Sequence, residues 1–453
     1  MGPALLTFAP MHTLEQLRAG KLTGVQRLNL SAGLTEFPAE IFDLADTLEV
    51  LNLSGNALAA LPSDLPRLHR LRVLFCSDNQ FTEVPAVLGQ CSRLEMVGFK
   101  ANRIRTLPGA ALPSALRWLI LTDNELEALP EEIGRCTELQ KLMLAGNRLR
   151  ELPEPLAHCT KLELLRIAAN ELTALPAWLL RLPRLAWLAY AGNLFCAAAE
   201  AAAAARHPAR TIAWAELEIA ERLGEGASGA IYRAHWRRGA DTEAVAVKLF
   251  KGAVTSDGRP GSEMTACIGA GAHPRLIAVR GRVGQHPAGA EGLVLELISP
   301  AFGNLAGPPS LATCTRDVYA PGAAFPSETV LRLARGIAAA AAHLHAQGVM
   351  HGDLYAHNIL NKPNGEALLG DFGAACFFDP DEAAAAHALQ RLEVRAFGCL
   401  LEELLDRCPA AAASTELWDL QRRCGQPEVS ARPLFREICQ TLAAAQLALA
   451  PGR

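Results

Sequence analysis

From about residue 25 to residue 196, apolar residues recur at a fixed long spacing rather than with the 3.6-residue period of a helix. The template is Leu48-x-x-Leu51-x-Leu53-x-x-Asn56-x-Leu58-x-x-Leu61-Pro62. It returns at Leu71 to Pro85, Leu94 to Pro108, Leu116 to Pro130, Leu139 to Pro153 and Leu162 to Pro176, with an incomplete copy from Leu185 to Cys196. A shorter first copy starts at Val25, with Gly33 in the Asn position. The period is 23 residues, once 22. Each copy predicts one short strand with leucines turned inward and an Asn (56, 79, 102, 124, 147, 170, 193) satisfying backbone groups as the chain leaves the strand. No single copy can bury its leucine face, so the copies must stack around a shared core. Residues 1–24, with a short helix expected at Thr13–Leu17, read as an N-terminal cap.

Eight copies of this pattern are identified as leucine-rich repeats, and their Leu-x-x-Leu-Pro variant resembles the intracellular repeats that accompany signalling proteins. Strand alternation predicts two columns on the concave face, Val50, Val73, Met96, Trp118, Lys141, Leu164 and Trp187, then Asn52, Phe75, Gly98, Ile120, Met143, Arg166 and Ala189. They are unusually apolar for a solvated surface. Phe75, Met96, Trp118, Ile120 and Trp187 are therefore expected to receive a protein substrate or regulator, or the chain's own second domain.

After an Ala-rich tract, 197–210, expected as a helical linker, the repeat vanishes and other patterns begin. Ala244-Val245-Ala246-Val247-Lys248 alternates like a strand, Leu293–Ile298 reads as a buried strand, and 328–348 has a helical pattern. Composition fits a multidomain globular chain: 453 residues, half of them apolar and a fifth charged. The net charge of -4 offers no footprint for nucleic acid. The 12 cysteines form no C-x-x-C pair, so reduced, buried thiols are expected. With no secretory leader, myristoylation motif or run of eighteen apolar residues, no membrane association and a cytoplasmic location are expected.

Candidate chemistry lies in the second half. His351-Gly352-Asp353-Leu354-Tyr355-Ala356-His357-Asn358 is followed, eighteen residues after Asp353, by Asp371-Phe372-Gly373. An Asp with an Asn five residues on, and a second Asp before Phe-Gly, suits phosphoryl transfer: one carboxylate orients the attacking hydroxyl, and an amide and a carboxylate hold magnesium. Upstream, Leu223-Gly224-Glu225-Gly226-Ala227-Ser228-Gly229-Ala230-Ile231 is a Gly-rich loop whose backbone can close over phosphates without Cβ collisions. Alone it is a common turn pattern. Lys248 can reach nucleotide phosphates, or be an ordinary strand-end charge. Glu263 can hold Lys248, or be an exposed helix residue.

Together, and in this order, these motifs make residues from about 217 to about 446 resemble a protein kinase catalytic domain. The implied fold class is multidomain: an α/β leucine-rich-repeat solenoid (25–196) followed by a two-lobed α+β protein kinase-like domain (211–447). The resemblance implies ATP and Mg2+. It places Leu223 to Ile231, Ala246, Lys248, Glu263, Leu295 and Glu296 around the nucleotide. Asp353, with Lys248 and Asn358, is catalytic; Asn358 and Asp371 bind the metal; His351 and Phe372 join the lobes. The implied function is an ATP-dependent protein kinase, serine/threonine-directed, with the repeats selecting its partner. A pseudokinase scaffold and a small-molecule phosphotransferase are the alternatives, the latter because choline and antibiotic kinases share His-Gly-Asp.

Three departures matter. Gly352 stands where many kinases carry an Arg that receives a phosphate, and residues 371–413 contain no Ser, Thr or Tyr, so control by activation-segment phosphorylation is not expected. Tyr355 replaces the usual catalytic-loop Lys, and His357 either supplies part of its charge or only packs. No Ala-Pro-Glu motif is visible. Glu393 is similar to the acidic start of the central C-lobe helix, and Arg432 lacks its usual Glu, with Glu382 as a candidate substitute.

Overall fold

The computed structural model describes residues 11–226, 228–252, 254, 255, 257–409 and 415–449. The chain divides into two compact bodies. One holds the repeats through Arg184, with Asn193–Phe195; the other joins Leu185–Gly192 to everything from Cys196 onward.

The first body opens on helix α1 (Leu14–Arg18), whose N-cap Thr13 and Gln16 form a reciprocal capping box. The repeats give three-residue strands β1 (Arg27–Asn29), β2 (Val50–Asn52), β3 (Val73–Phe75), β4 (Met96–Gly98), β5 (Trp118–Ile120), β6 (Lys141–Met143) and β7 (Leu164–Arg166), which pair in parallel in sequence order; the last copy's strand, β8 (Trp187–Ala189), is counted with the second body. Val50 pairs with Val73, Val73 with Met96 and Met96 with Trp118, the register the columns predict.

The Asn positions form a ladder. Asn147 accepts from Leu126 N at 3.0 Å and donates to Leu121 O and Leu144 O, each at 2.9 Å. Asn79, Asn124 and Asn170 repeat this one turn apart. The residue before each Asn takes positive φ: Gly55, Gly146 and Gly192, but also Asp78, Ala101, Asp123 and Ala169. The side-chain bonds hold even alanine in a conformation costing roughly 1–2 kcal/mol.

In the second body, α2 (Ala197–Arg206) leads to a six-stranded sheet. Its strands are β9 (Thr211–Ala213), β10 (Leu217–Glu225), β11 (Gly229–Arg238), β12 (Asp241–Phe250), β13 (Val279–Gly284) and β14 (Gly292–Glu296), in the order β10-β11-β12-β14-β13-β9. Helix α3 (Pro260–Gly269) starts with Pro at its first position, where a missing N–H costs nothing. Val245, Val247 and Val294 pack with Ile212, Leu217 and Trp236 as the core of this lobe. β15 (Gly303–Asn304) begins the second lobe, whose helix α4 (Ser327–Ala346) is amphipathic and stops at Gly348, φ +72°. Then come β16 (Val349–Met350), β17 (Ile359–Asn361), β18 (Ala367–Leu369) and β19 (Cys376–Phe377), with β16 pairing β19. Helices α5 (Ala383–Leu405), α6 (Thr415–Cys424) and α7 (Phe435–Leu449) complete the described chain. No described helix is long and apolar enough to cross a membrane.

Two expectations change here. The central helix does not begin near Glu393 but ten residues earlier, at Ala383, leaving only 372–382 after Asp371. Arg432 donates to the carbonyls of Gln426 (2.8 Å) and Arg391 (3.1 Å), while Glu382 is an exposed N-cap residue; backbone oxygens serve the guanidinium.

Candidate functional site

A cavity of about 300 Å³ lies between the two lobes of the second body. Its apolar lining comes from Leu223, Ile231, Ala246, Leu293 and Leu295, a slot suited to a flat base, with Glu296, Leu297 and Ile298 following β14. Its polar lining comes from Lys248, Glu263, His357, Asn358 and Asp371. Of the sequence-predicted residues, Leu223, Ile231, Ala246, Lys248, Glu263, Leu295, Glu296, Asn358 and Asp371 line this cavity, whereas Gly224, Glu225, Gly226, Ser228, Gly229, Ala230 and Asp353 are not among its lining residues.

Lys248 and Glu263 form a buried ion pair, 13 % and 3 % exposed. Burial alone would lower the Lys248 pKa, but the Glu263 and Asp371 carboxylates override it and hold the amine above its ordinary value. Lys248 is therefore a fixed cation, and the reading of Glu263 as an exposed helix residue is set aside. Gly226 N donates to Gly229 O at 2.8 Å, closing the Gly-rich hairpin, and a Cβ on Gly229 would lie 2.2 Å from Leu249 O. The Glu225 carboxylate pairs with Lys251 and Arg222. Gly224 has open space around it, Ala230 pairs with Leu249 across the sheet, and Ala227 lies outside the described residues.

In the catalytic loop, Asn358 Nδ2 donates to the Asp353 carbonyl (2.9 Å) and to Asp353 Oδ2 (2.7 Å). With its nitrogen engaged, the side-chain oxygen of Asn358 is the atom available to a cation. Asp371 sits in the left-handed region, φ +58°, and accepts from Gly373 N at 3.2 Å. Among the described residues no group of three His, Cys, Asp or Glu could hold a metal alone. Asn358 and Asp371 offer an all-oxygen pair, which fits a hard divalent cation completed by phosphate oxygens. His351 Nε2 bonds Gly370 O (2.9 Å), and its ring lies 5.1 Å from that of Phe372.

Sequence reasoning missed Asp317. Its carboxylate receives His357 N (2.9 Å) and contacts His357 Nδ1 at 2.7 Å. Burial would lower the His357 pKa; the Asp317 bond and charge, with Asp353 and Asp371, raise it above the ordinary value. No local pattern marks Asp317, which stands 40 residues away in sequence. Glu393, on α5, accepts from Gly352 N and His345 Nε2, both at 2.7 Å, anchoring the loop from below. Burial works against its charge, but His345, His351 and the Gly352 N–H hold its pKa low.

Trp187, expected on an open concave face, is 1 % exposed and stacks on Tyr355, centroids 4.1 Å apart and rings 6° from parallel. A buried ring already in contact cannot meet an outside partner. Phe75 and Met96 are also buried, 5 % and 2 % exposed; Trp118 and Ile120 are half-buried, with Lys141 over the Trp118 ring.

The protein tyrosine and serine/threonine kinase family matches residues 217–400. Among relatives, leucine-rich repeat and calponin homology domain-containing protein 1 of Mus musculus is 34% identical over 119 residues, 25% of this chain and 17% of that protein. Probable inactive serine/threonine-protein kinase roco10 of Dictyostelium discoideum is 33% identical over 126 residues, 26% of this chain and 5% of its own. Putative cyclin-dependent kinase F-2 of Oryza sativa subsp. japonica is 26% identical over 243 residues, 49% of this chain and 72% of its own. The chain spans less than a fifth of the length of the first two of these. The repeat ladder, the two-lobed body with its cleft and these similarities agree: the N-terminal part of the chain is similar to leucine-rich repeat proteins, and residues 217–400 match a protein kinase domain, a domain type that implies ATP.

Proposed function

We propose that this chain is an active ATP-dependent protein kinase, directed at serine or threonine hydroxyls. The observation that carries the reading is the convergence of the Lys248–Glu263 ion pair, Asn358 and Asp371 on one cleft, with Asp353 tied to Asn358. Asp353 orients the acceptor hydroxyl and takes its proton as the oxygen bonds to the γ-phosphorus; the bond to the β–γ bridging oxygen breaks and ADP leaves. Lys248 holds nucleotide phosphates. Asn358 and Asp371 would hold Mg2+, which would neutralise phosphate charge. The repeat body recruits the protein partner. Control by phosphorylation of the activation segment is not part of this reading, because residues 371–413 carry no hydroxyl.

A second reading, transfer to a small molecule, is favoured by the short stretch 372–382, which leaves little platform for a peptide. Incubation with labelled ATP and magnesium, beside Asp353→Ala, tests both. Label on protein, lost ~100-fold or more in the variant, supports the kinase. Label on a metabolite supports the second reading, and no turnover leaves a scaffold.

A further inference from the structure

The residues bracing the catalytic loop come from a part of the chain that the kinase pattern does not include. Leu185–Gly192 belongs to the same compact body as the cleft. Trp187 Nε1–H donates to Leu354 O at 3.1 Å while its ring stacks on Tyr355. Tyr355 in turn lies 5.0 Å from the His357 ring, centroid to centroid. Three residues on, Tyr190 reaches the strand that follows Asp371: its N–H donates to Cys376 Sγ (3.0 Å) and its hydroxyl to Phe377 O (3.1 Å). Between them, the Leu188 carbonyl comes so near Gly352 that a Cβ there would lie 2.7 Å from it. One short segment thus grips both stretches that carry the candidate chemistry, the loop with Asp353 and Asn358 and the strand after Asp371. The chain between Asp371 and α5 is only 372–382, and part of it is committed to β19.

We infer that Leu185–Gly192 is a working part of the catalytic apparatus, with Trp187 and Tyr190 as positioning residues that hold Asp353, Asn358 and Asp371 in register. This rests on the phosphotransfer reading of the cleft. Stacking and a buried N–H bond fix Leu354–Tyr355, which directly follow Asp353, and small misplacement of an orienting carboxylate costs about 100-fold in rate. The apolar wall for the base, Leu223, Ile231, Ala246, Leu293 and Leu295, is built from other residues, so affinity for an ATP analogue in the absence of magnesium should not follow the loss.

The test uses the full chain with Trp187→Ala, Trp187→Phe and Tyr190→Phe. Three quantities are read: phosphotransfer kcat, binding of a fluorescent ATP analogue in the absence of magnesium, and amide hydrogen exchange across 353–358 and 374–378. Expected for Trp187→Ala is a kcat lower by roughly 10- to 100-fold, analogue affinity within about twofold of wild type, and faster exchange in 353–358. Trp187→Phe, which keeps the stack and loses the N–H bond, should recover most of kcat. Tyr190→Phe should speed exchange mainly in 374–378. The inference is overturned if kcat and exchange stay at wild-type values in Trp187→Ala. It is also overturned if analogue affinity falls in parallel with kcat, since that is general damage to the fold. Should wild type transfer no phosphate at all, the phosphotransfer reading fails, and the positional claim is still decided by the exchange measurement.

Discussion

Replacing Gly352 by Arg, the residue many kinases carry there, separates two explanations of this glycine. If Gly352 only marks a lost phosphate receiver, Arg should fit. The geometry says otherwise. Gly352 has φ +73°, and a Cβ would meet Ala374 O at 2.4 Å and Leu188 O at 2.7 Å. Both are backbone atoms and cannot swing aside. The left-handed conformation costs a non-glycine residue roughly 1–2 kcal/mol. Forcing a side chain between two carbonyls adds about 1–3 kcal/mol of overpacking. The Gly352 N–H bond to Glu393 is put at risk as the loop shifts, so the total is about 3–5 kcal/mol. At roughly 2–4 °C per kcal/mol for a body of this size, the melting transition of the kinase body should fall by roughly 6–20 °C. Differential scanning calorimetry of the full chain, where the two bodies can melt separately, reads it directly. Gly352→Ala should already show much of the loss, because the Cβ is the offending atom. A Gly352→Arg protein melting within a degree of wild type would refute the steric account and restore the simpler one.

Lys248→Met should destabilise the kinase body by about 3–5 kcal/mol by stranding the buried Glu263, and the double variant with Glu263→Gln should regain much of it, as a denaturation cycle would show. Asn147→Ala removes three buried ladder bonds and should cost more than Asn56→Ala, whose side chain is half-buried; about 3 kcal/mol against about 1–2 is expected from urea titration. His357 has a raised pKa in the folded chain, so its pairing with Asp317 contributes stability fully present below the unfolded value of ~6.5 and lost as pH rises through the folded value. Stability of Asp317→Asn should show a weaker decline over that range, and NMR titration of the His357 ring should give a lower midpoint than in wild type.

The repeats were legible because their chemistry is local and repeated. Each Asn serves backbone groups at fixed offsets, so sequence spacing alone places Asn147 beside Leu126 and Leu144. The cleft was legible for a related reason: Lys248, Glu263, Asn358 and Asp371 keep their order and approximate spacing around a nucleotide slot. What stayed hidden depends on contacts that spacing does not encode. Trp187 and Leu354 are 167 residues apart, and nothing in the repeat pattern distinguishes Trp187 from an exposed column residue. Gly352 looked like a missing charge because its φ and its carbonyl neighbours are invisible in sequence. The early start of α5 hides in an alanine run, Ala383–Ala386, whose composition resembles the tract at Ala197.

Helix α2, which immediately follows the bracing segment, packs on α3, where Ala203 lies close to Gly269. α3 carries Glu263. One continuous stretch, 185–206, therefore touches the catalytic loop at one end and the ion-pair helix at the other. For gene shuffling this sets an unusual rule: a kinase cassette excised at the start of its motif pattern would leave behind strand β8 and helix α2. Recombination that exchanges the repeat array must therefore leave its last copy with the catalytic module, whose body includes Leu185–Gly192.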